Sequence, residues 1–211
     1  MKYTLGPKKY ETEFTFTIPE TEKIGVFVSG GLDSAILLCM IVQELQETNR
    51  AIPIETFTVK KHDGSTEYAP CVINWIKYHY NIDIIINNHI ENEDIDDGRV
   101  GRECIMSLLE QNPSTLFYMG ISRQPSPDIK VFHNNLMIKY PDEFGQLKFP
   151  FLNMIKPNMV DLYSKLNVSE LIPFTHSCTV LADDFCDNCY SCEERAWAFE
   201  ELNINSTFKP L

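Results

Sequence analysis

The sequence predicts an α/β fold: a parallel, twisted sheet of about five strands with helices on both faces, followed by a small cysteine-bearing C-terminal segment. Three observations carry that prediction. Short apolar runs alternate with helix-length stretches across about 120 residues, the pattern of strands joined by crossover helices. A Ser-Gly-Gly sequence punctuates the first strand-to-helix junction. Four of the seven cysteines crowd into one stretch near the end.

The elements follow in order. Residues 10–18, YETEFTFTI, alternate apolar and polar, with Phe14, Phe16 and Ile18 on one face, which reads as an edge or hairpin strand. Residues 24–28, IGVFV, form a short buried strand, and from Asp33 the sequence SAILLCMIVQELQE is helix material. Residues 52–59, IPIETFTV, read as the next strand. Tyr68, Val72, Trp75, Ile76 and His79 recur at helical spacing over 66–80. IDIII at 82–86 is β-branched and reads as a strand. Residues 101–111 are helical, and TLFYMGI at 115–121 is a strand. Arg123-Gln124-Pro125-Ser126-Pro127 then forms a loop at that strand's carboxyl end, where open α/β sheets bind ligands. Pro157 suits the first turn of a helix to about Leu166, and EERAWAFEEL at 193–202 is the last helix. Trp75 and Trp197 read as core residues. The acidic run Glu91, Glu93, Asp94, Asp96 and Asp97 reads as a solvated loop. The expected organisation is an N-terminal extension over 1–20, the main domain over 21–170 and the cysteine segment over 171–211.

Composition narrows the function. Of 211 residues, 44% are hydrophobic and 23% charged, ordinary for a folded globular chain. The net charge of -12 opposes broad nucleic-acid binding. No apolar run reaches the ~18 to 20 residues of a membrane helix. The opening MKYTLGPKKYETEF has no apolar signal-peptide core, so a cytoplasmic location is expected. The sequons at Asn167-Val168-Ser169 and Asn205-Ser206-Thr207 are then chance matches.

Residues Ser29, Gly30, Gly31, Leu32, Asp33 and Ser34 lie between the buried strand and the apolar helix. Two glycines let the backbone turn sharply and approach an anion closely. The freed N–H groups and the helix N-terminus then point at that anion. Ser29 and Ser34 add hydroxyls, and Asp33 can cap the helix or hold a magnesium ion. The Walker A lysine is absent and the dinucleotide glycine spacing is wrong. The plainer alternative is a capped strand–turn–helix connection. SGGLDS resembles the SGGxDS loop of the PP-loop ATP pyrophosphatases, with the adenine nucleotide alpha hydrolase-like fold. The resemblance implies that the loop grips the pyrophosphate of ATP while the α-phosphate adenylates a substrate.

The cysteines stand as Cys178-x7-Cys186-x2-Cys189-x2-Cys192. Four thiolates at this spacing can close a tetrahedral, structural zinc site with no open position. His176 is a spare donor. Cys39, Cys71 and Cys104 are isolated.

Taken together, the two motifs resemble the 7-cyano-7-deazaguanine synthase family of the queuosine pathway over residues 24–202. Cys186, Cys189, Cys192 and Arg195 keep that family's Cys-x2-Cys-x2-Cys-x2-Arg intervals. Thr58-Val59-Lys60-Lys61-His62, Gly101-Arg102, and the six-residue offset from Pro150 to Lys156 are similar too. The resemblance implies a ligase that converts 7-carboxy-7-deazaguanine and ammonia into the nitrile, using ATP, Mg2+ and structural Zn2+. It implies Lys156 and Arg102 as charge-neutralising residues beside Asp33, and His62 as a nucleotide or substrate contact; Arg123 is a substrate-contact candidate from its place in the loop after the fourth strand. A homodimer is compatible with it. Arg195 reads as a buttress of the cysteine loop or a partner of Glu200 or Glu201. Glu103 departs from the family's Asn, and Ser122-Arg123-Gln124-Pro125 replaces an acidic, tyrosine-bearing loop. Two other readings therefore stand beside it. One is a related enzyme adenylating a protein terminus or a tRNA base. The other is a nucleotide-binding module without chemistry.

Overall fold

A computed structural model describes residues 1–59, 65–90, 98–123, 145–181 and 184–204. His62, the acidic run from Glu91 to Asp97 and residues 124–144 lie outside the described residues.

Strands β1 (Lys2–Leu5) and β2 (Thr12–Thr15) form an antiparallel hairpin. Phe14, Phe16 and Ile18 are buried, as the alternation predicts. The main sheet contains β3 (Lys23–Phe27), β4 (Ile54–Val59), β5 (Ile85–Ile90), β6 (Thr115–Met119) and the two-residue β7 (Leu147–Lys148). Its order is β5-β4-β3-β6-β7 and every described pairing is parallel. The helices are α1 (Leu32–Glu47), α2 (Ser65–Tyr80), α3 (Gly98–Gln111), α4 (Lys156–Lys165) and α5 (Tyr190–Glu201).

The strand period of two separates the faces of β3. Ile24 and Val26 join the larger core under α1, α2, α4 and α5. Phe27 points the other way, stacking on Phe117 and meeting Phe57 at a tilt beside Leu109 of α3. Helices therefore cover both faces, the arrangement expected from the sequence. Helix α1 is buried almost all round, which explains why its sequence shows no polar stripe.

Two readings needed correction. The edge strand begins at Ile85, not at Ile82. Asn81 takes a left-handed conformation (φ 49°), and the Ile82 amide returns to the Lys77 carbonyl (3.1 Å), closing α2. Ile82 and Ile84 are thus apolar fillers of the connection, with Ile84 buried. Trp75 is half-buried and packs against the main core, whereas Trp197 is half-buried outside it. Trp75 stacks on His79, while Trp197 meets the edge of Tyr10 and donates its indole N–H to Glu201.

The buried Asn158 of α4 ties the hairpin to the main body. Its amide donates to the Leu5 (3.1 Å) and Tyr10 (2.9 Å) carbonyls and its oxygen accepts from the Ile155 amide. No described helix is long and apolar enough to cross a membrane.

Candidate active site and cysteine centre

The sheet order creates the crevice. From β3 the chain adds β4 and β5 on one side, then returns to add β6 and β7 on the other. The strand order reverses between β3 and β6, and the loops beyond the carboxyl ends of strands at such a switch point are where open α/β sheets bind ligands. The 29–34 loop leaves β3 at that point, and Gly120-Ile121-Ser122 leaves β6 beside it.

The loop is shaped by its own hydroxyls. Gly30 has φ 77°, the left-handed region glycine favours. The Ser29 amide donates to Ser34 Oγ (3.1 Å), the Gly31 amide to Ser29 Oγ (3.3 Å), and Ser34 Oγ to the Gly31 carbonyl (3.2 Å). No side chain caps α1. Its terminal amides are the orphan donors that anions bind. Gly120 permits the neighbouring close approach: a Cβ there would lie 2.6 Å from the Asp33 carbonyl oxygen.

Asp33 does not cap the helix. Its carboxylate receives both-oxygen contacts from Lys156 Nζ (2.7 and 2.7 Å) and a hydrogen bond from Ser122 Oγ (2.9 Å). Lys156 opens α4, where Pro157 fixes the first turn. Its ammonium also meets Glu194 Oε2 of α5 at 3.2 Å. Burial alone would lower the Lys156 pKa; the Asp33 and Glu194 carboxylates outweigh it and hold the ammonium above its ordinary value. Four distant chain segments thus converge on one charged cluster at the mouth of the glycine loop.

The other candidates fall differently. Arg123 follows Ser122 directly; its side chain is exposed and its amide donates to the Met154 carbonyl (2.6 Å). Arg102 is on α3, its side chain outside the described residues. Glu194 and Ser122 were missed by sequence reasoning. Glu194 had a signal: it shares a helix stripe with Tyr190 and Ala198, both buried, and an acid on an apolar stripe has a partner to find.

The sulfurs of Cys178, Cys186, Cys189 and Cys192 all lie within 4.8 Å of one another. Backbone amides of Leu181 (3.2 Å) and Val180 (3.4 Å) point at Cys178 Sγ, and that of Cys189 at Cys186 Sγ (3.3 Å). Burial raises the Cys178 thiol, but the Leu181 and Val180 amides bring it below the usual range. Burial likewise opposes ionisation of Cys189, and hydrogen bonding from Thr179 and Cys192 lowers it to about 6. Burial drives Cys192 the other way. Four sulfurs on one ion at about 2.3 Å lie about 3.8 Å apart. Four sulfurs on separate irons of a cubane cluster spread to about 6 Å. The observed spacing fits a single tetrahedrally bound ion.

His176 lies outside that group. Its Nε2–H donates to the Leu181 carbonyl (2.8 Å) and its ring is sandwiched between Tyr68 (4.5 Å) and Phe185 (5.5 Å). Its backbone amide donates to the Gly30 carbonyl (2.9 Å), so the residue two before a cysteine ligand braces the glycine loop. Arg195 braces the same segment through Thr175 Oγ1 (3.0 Å), Ser177 Oγ (3.2 Å) and the Ile172 carbonyl (3.3 Å). Its guanidinium packs over Phe185 and Phe199. Of its two expected roles, the buttress is the one these contacts match.

Residues 19–88 match the family model for asparagine synthase. That stretch runs from β3 through the glycine loop, α1 and β4 to α2 and β5. No curated protein matches the chain. Among solved structures, a U34-tRNA thiolase from Methanococcus maripaludis with its 4Fe–4S cluster aligns over 89% of this chain and 67% of its own, at TM-score 0.46 and 13% identity. A likeness that distant bears on neither substrate nor cluster.

Proposed function

We propose that the chain is an ATP-dependent adenylating enzyme of the PP-loop type, and that its acceptor is 7-carboxy-7-deazaguanine. One observation carries the ATP reading: a glycine loop on an uncapped helix N-terminus opens on the Asp33–Lys156 pair at the sheet's switch point. The loop amides and the hydroxyls of Ser29 and Ser34 take the pyrophosphate. Asp33 is the residue that would hold magnesium, which supplies charge neutralisation when bound. Lys156 offsets negative charge as it builds on the phosphates.

The acceptor carboxylate attacks the α-phosphorus of ATP and pyrophosphate leaves. Ammonia displaces AMP from the acyl-adenylate to give the amide. The amide oxygen attacks the α-phosphorus of a second ATP, expelling a second pyrophosphate; loss of AMP and the two nitrogen protons leaves the nitrile. Positioning does most of this work, and no nucleophilic side chain is required. The deazaguanine assignment is supported by the intervals that link Cys186, Cys189, Cys192 and Arg195, and Pro150 with Lys156. The four cysteines hold one structural zinc ion in this reading. Arg102, His62 and Arg123 are the remaining candidates for phosphate and acceptor contacts.

The test is turnover with ATP, magnesium, ammonium and 7-carboxy-7-deazaguanine, read by mass spectrometry. The expected products are the nitrile, AMP and pyrophosphate. AMP only in the presence of a peptide or tRNA acceptor would move the substrate to a macromolecule. The Ser122-Arg123-Gln124-Pro125 departure is what favours that second reading.

A further inference from the structure

We infer that Glu194 is a positioning residue for the ATP site: it is the fixed anchor of Lys156, while Asp33 is the exchangeable one. The inference rests on the reading that the 29–34 loop takes ATP.

The two carboxylates that hold Lys156 are not equivalent. The Asp33 side chain is 14% exposed and belongs to the loop itself; the Glu194 side chain is 3% exposed and belongs to a helix. Asp33 already answers to Ser122 as well as Lys156. Asp33 would hold a magnesium ion in place of the ammonium, since a divalent cation attracts a carboxylate more strongly than a monovalent one at the same distance, while a phosphate in the loop would draw Lys156 toward itself. Lys156 would then lose its shorter contacts as its charge became useful. Glu194 prevents the ammonium from drifting. Its Oε2 stays 3.2 Å from Nζ, and Tyr190, one turn earlier on α5, donates its hydroxyl to Oε1 (3.2 Å). A buried carboxylate is strongly stabilised by a cation at this distance, so the ion pair holds Glu194 and Lys156 to each other.

The anchor's own position is set by the cysteine centre. Cys189 stands at the N-cap position of α5 without a side-chain cap bond, and Cys192 lies in the first turn, two residues before Glu194. The start of α5 therefore brings two sulfurs of the four-cysteine group close in sequence to the carboxylate that meets Lys156. The cysteine centre supports the site through a named side chain as well as through the His176 bond to Gly30.

The test uses Glu194→Gln, which keeps shape and removes charge, in the full chain. Acetylation of Lys156 by acetic anhydride, followed by peptide mass spectrometry, is expected to quicken about fivefold as the ammonium loosens. In pyrophosphate release, kcat is expected to fall about tenfold while the KM for ATP moves less than about threefold. Glu194→Asp should recover part of the loss. In a Lys156→Met background the Glu194→Gln change should lower kcat no further. Unchanged Lys156 acetylation, or a full second loss in the Lys156→Met background, would overturn the assignment. Wild-type protein that neither binds ATP nor releases pyrophosphate sinks the functional reading instead, and acetylation still decides what Glu194 does.

Discussion

Lys156→Met is expected to lower the rate of ATP-dependent pyrophosphate release by about 100- to 1000-fold, the usual loss on removing one preorganised charge from a reaction centre. The side chain is 12% exposed, so water cannot replace it cheaply. Its pKa is raised, so the ion-pair contribution is fully present below the ordinary lysine range. It is lost only as strongly alkaline pH passes the raised value. Lys156 therefore does not shape the neutral-pH profile. The substitution also removes the buried ion pairs that Lys156 makes with Asp33 and Glu194, at a stability cost of about 3–5 kcal/mol. Adding Glu194→Gln should restore part of the melting temperature and none of the rate. That split separates a folding defect from a chemical one. Lys156→Met retaining more than about a third of the wild-type rate would remove Lys156 from the chemistry.

Cys189→Ser carries the second large effect. It removes one ligand from a four-sulfur site and unpins the start of α5. Structural zinc sites contribute about 10–16 kcal/mol of apparent binding energy in small peptides. Even a fraction of that should lower the melting temperature by on the order of 10 °C. Elemental analysis should find one zinc per wild-type chain and none in the variant. The loss should reach the ATP loop, because His176 and Glu194 both depend on this segment. Wild-type protein carrying about four irons and coloured by a cluster would overturn the single-ion reading drawn from the sulfur spacing.

Much of this was legible in the sequence, for identifiable reasons. Ile24 to Val28 and the glycines after them announce a strand and a turn without tertiary help. The cysteine spacing is local, so its geometry was accessible too. Failures came where a helix end or a tertiary partner overrides the local pattern. The Ile82–Ile84 run looks like a strand until Asn81 closes α2 just before it. The polar Asn87 and Asn88 fall in a strand because β5 is a sheet edge, where pairing backbone is enough. Leu147–Lys148 is too short to show any period. Ser122 reaches Asp33 across 89 residues, a contact no local pattern encodes.

The central claim is that this chain splits ATP between its α- and β-phosphates. Purified protein would be given α-labelled ATP, magnesium, ammonium and the carboxylate acceptor, and the labelled product separated. Label in AMP, matched by pyrophosphate and abolished with Lys156→Met, is the predicted result. Label in ADP alone, or intact ATP with zinc-loaded, folded protein, would contradict the account.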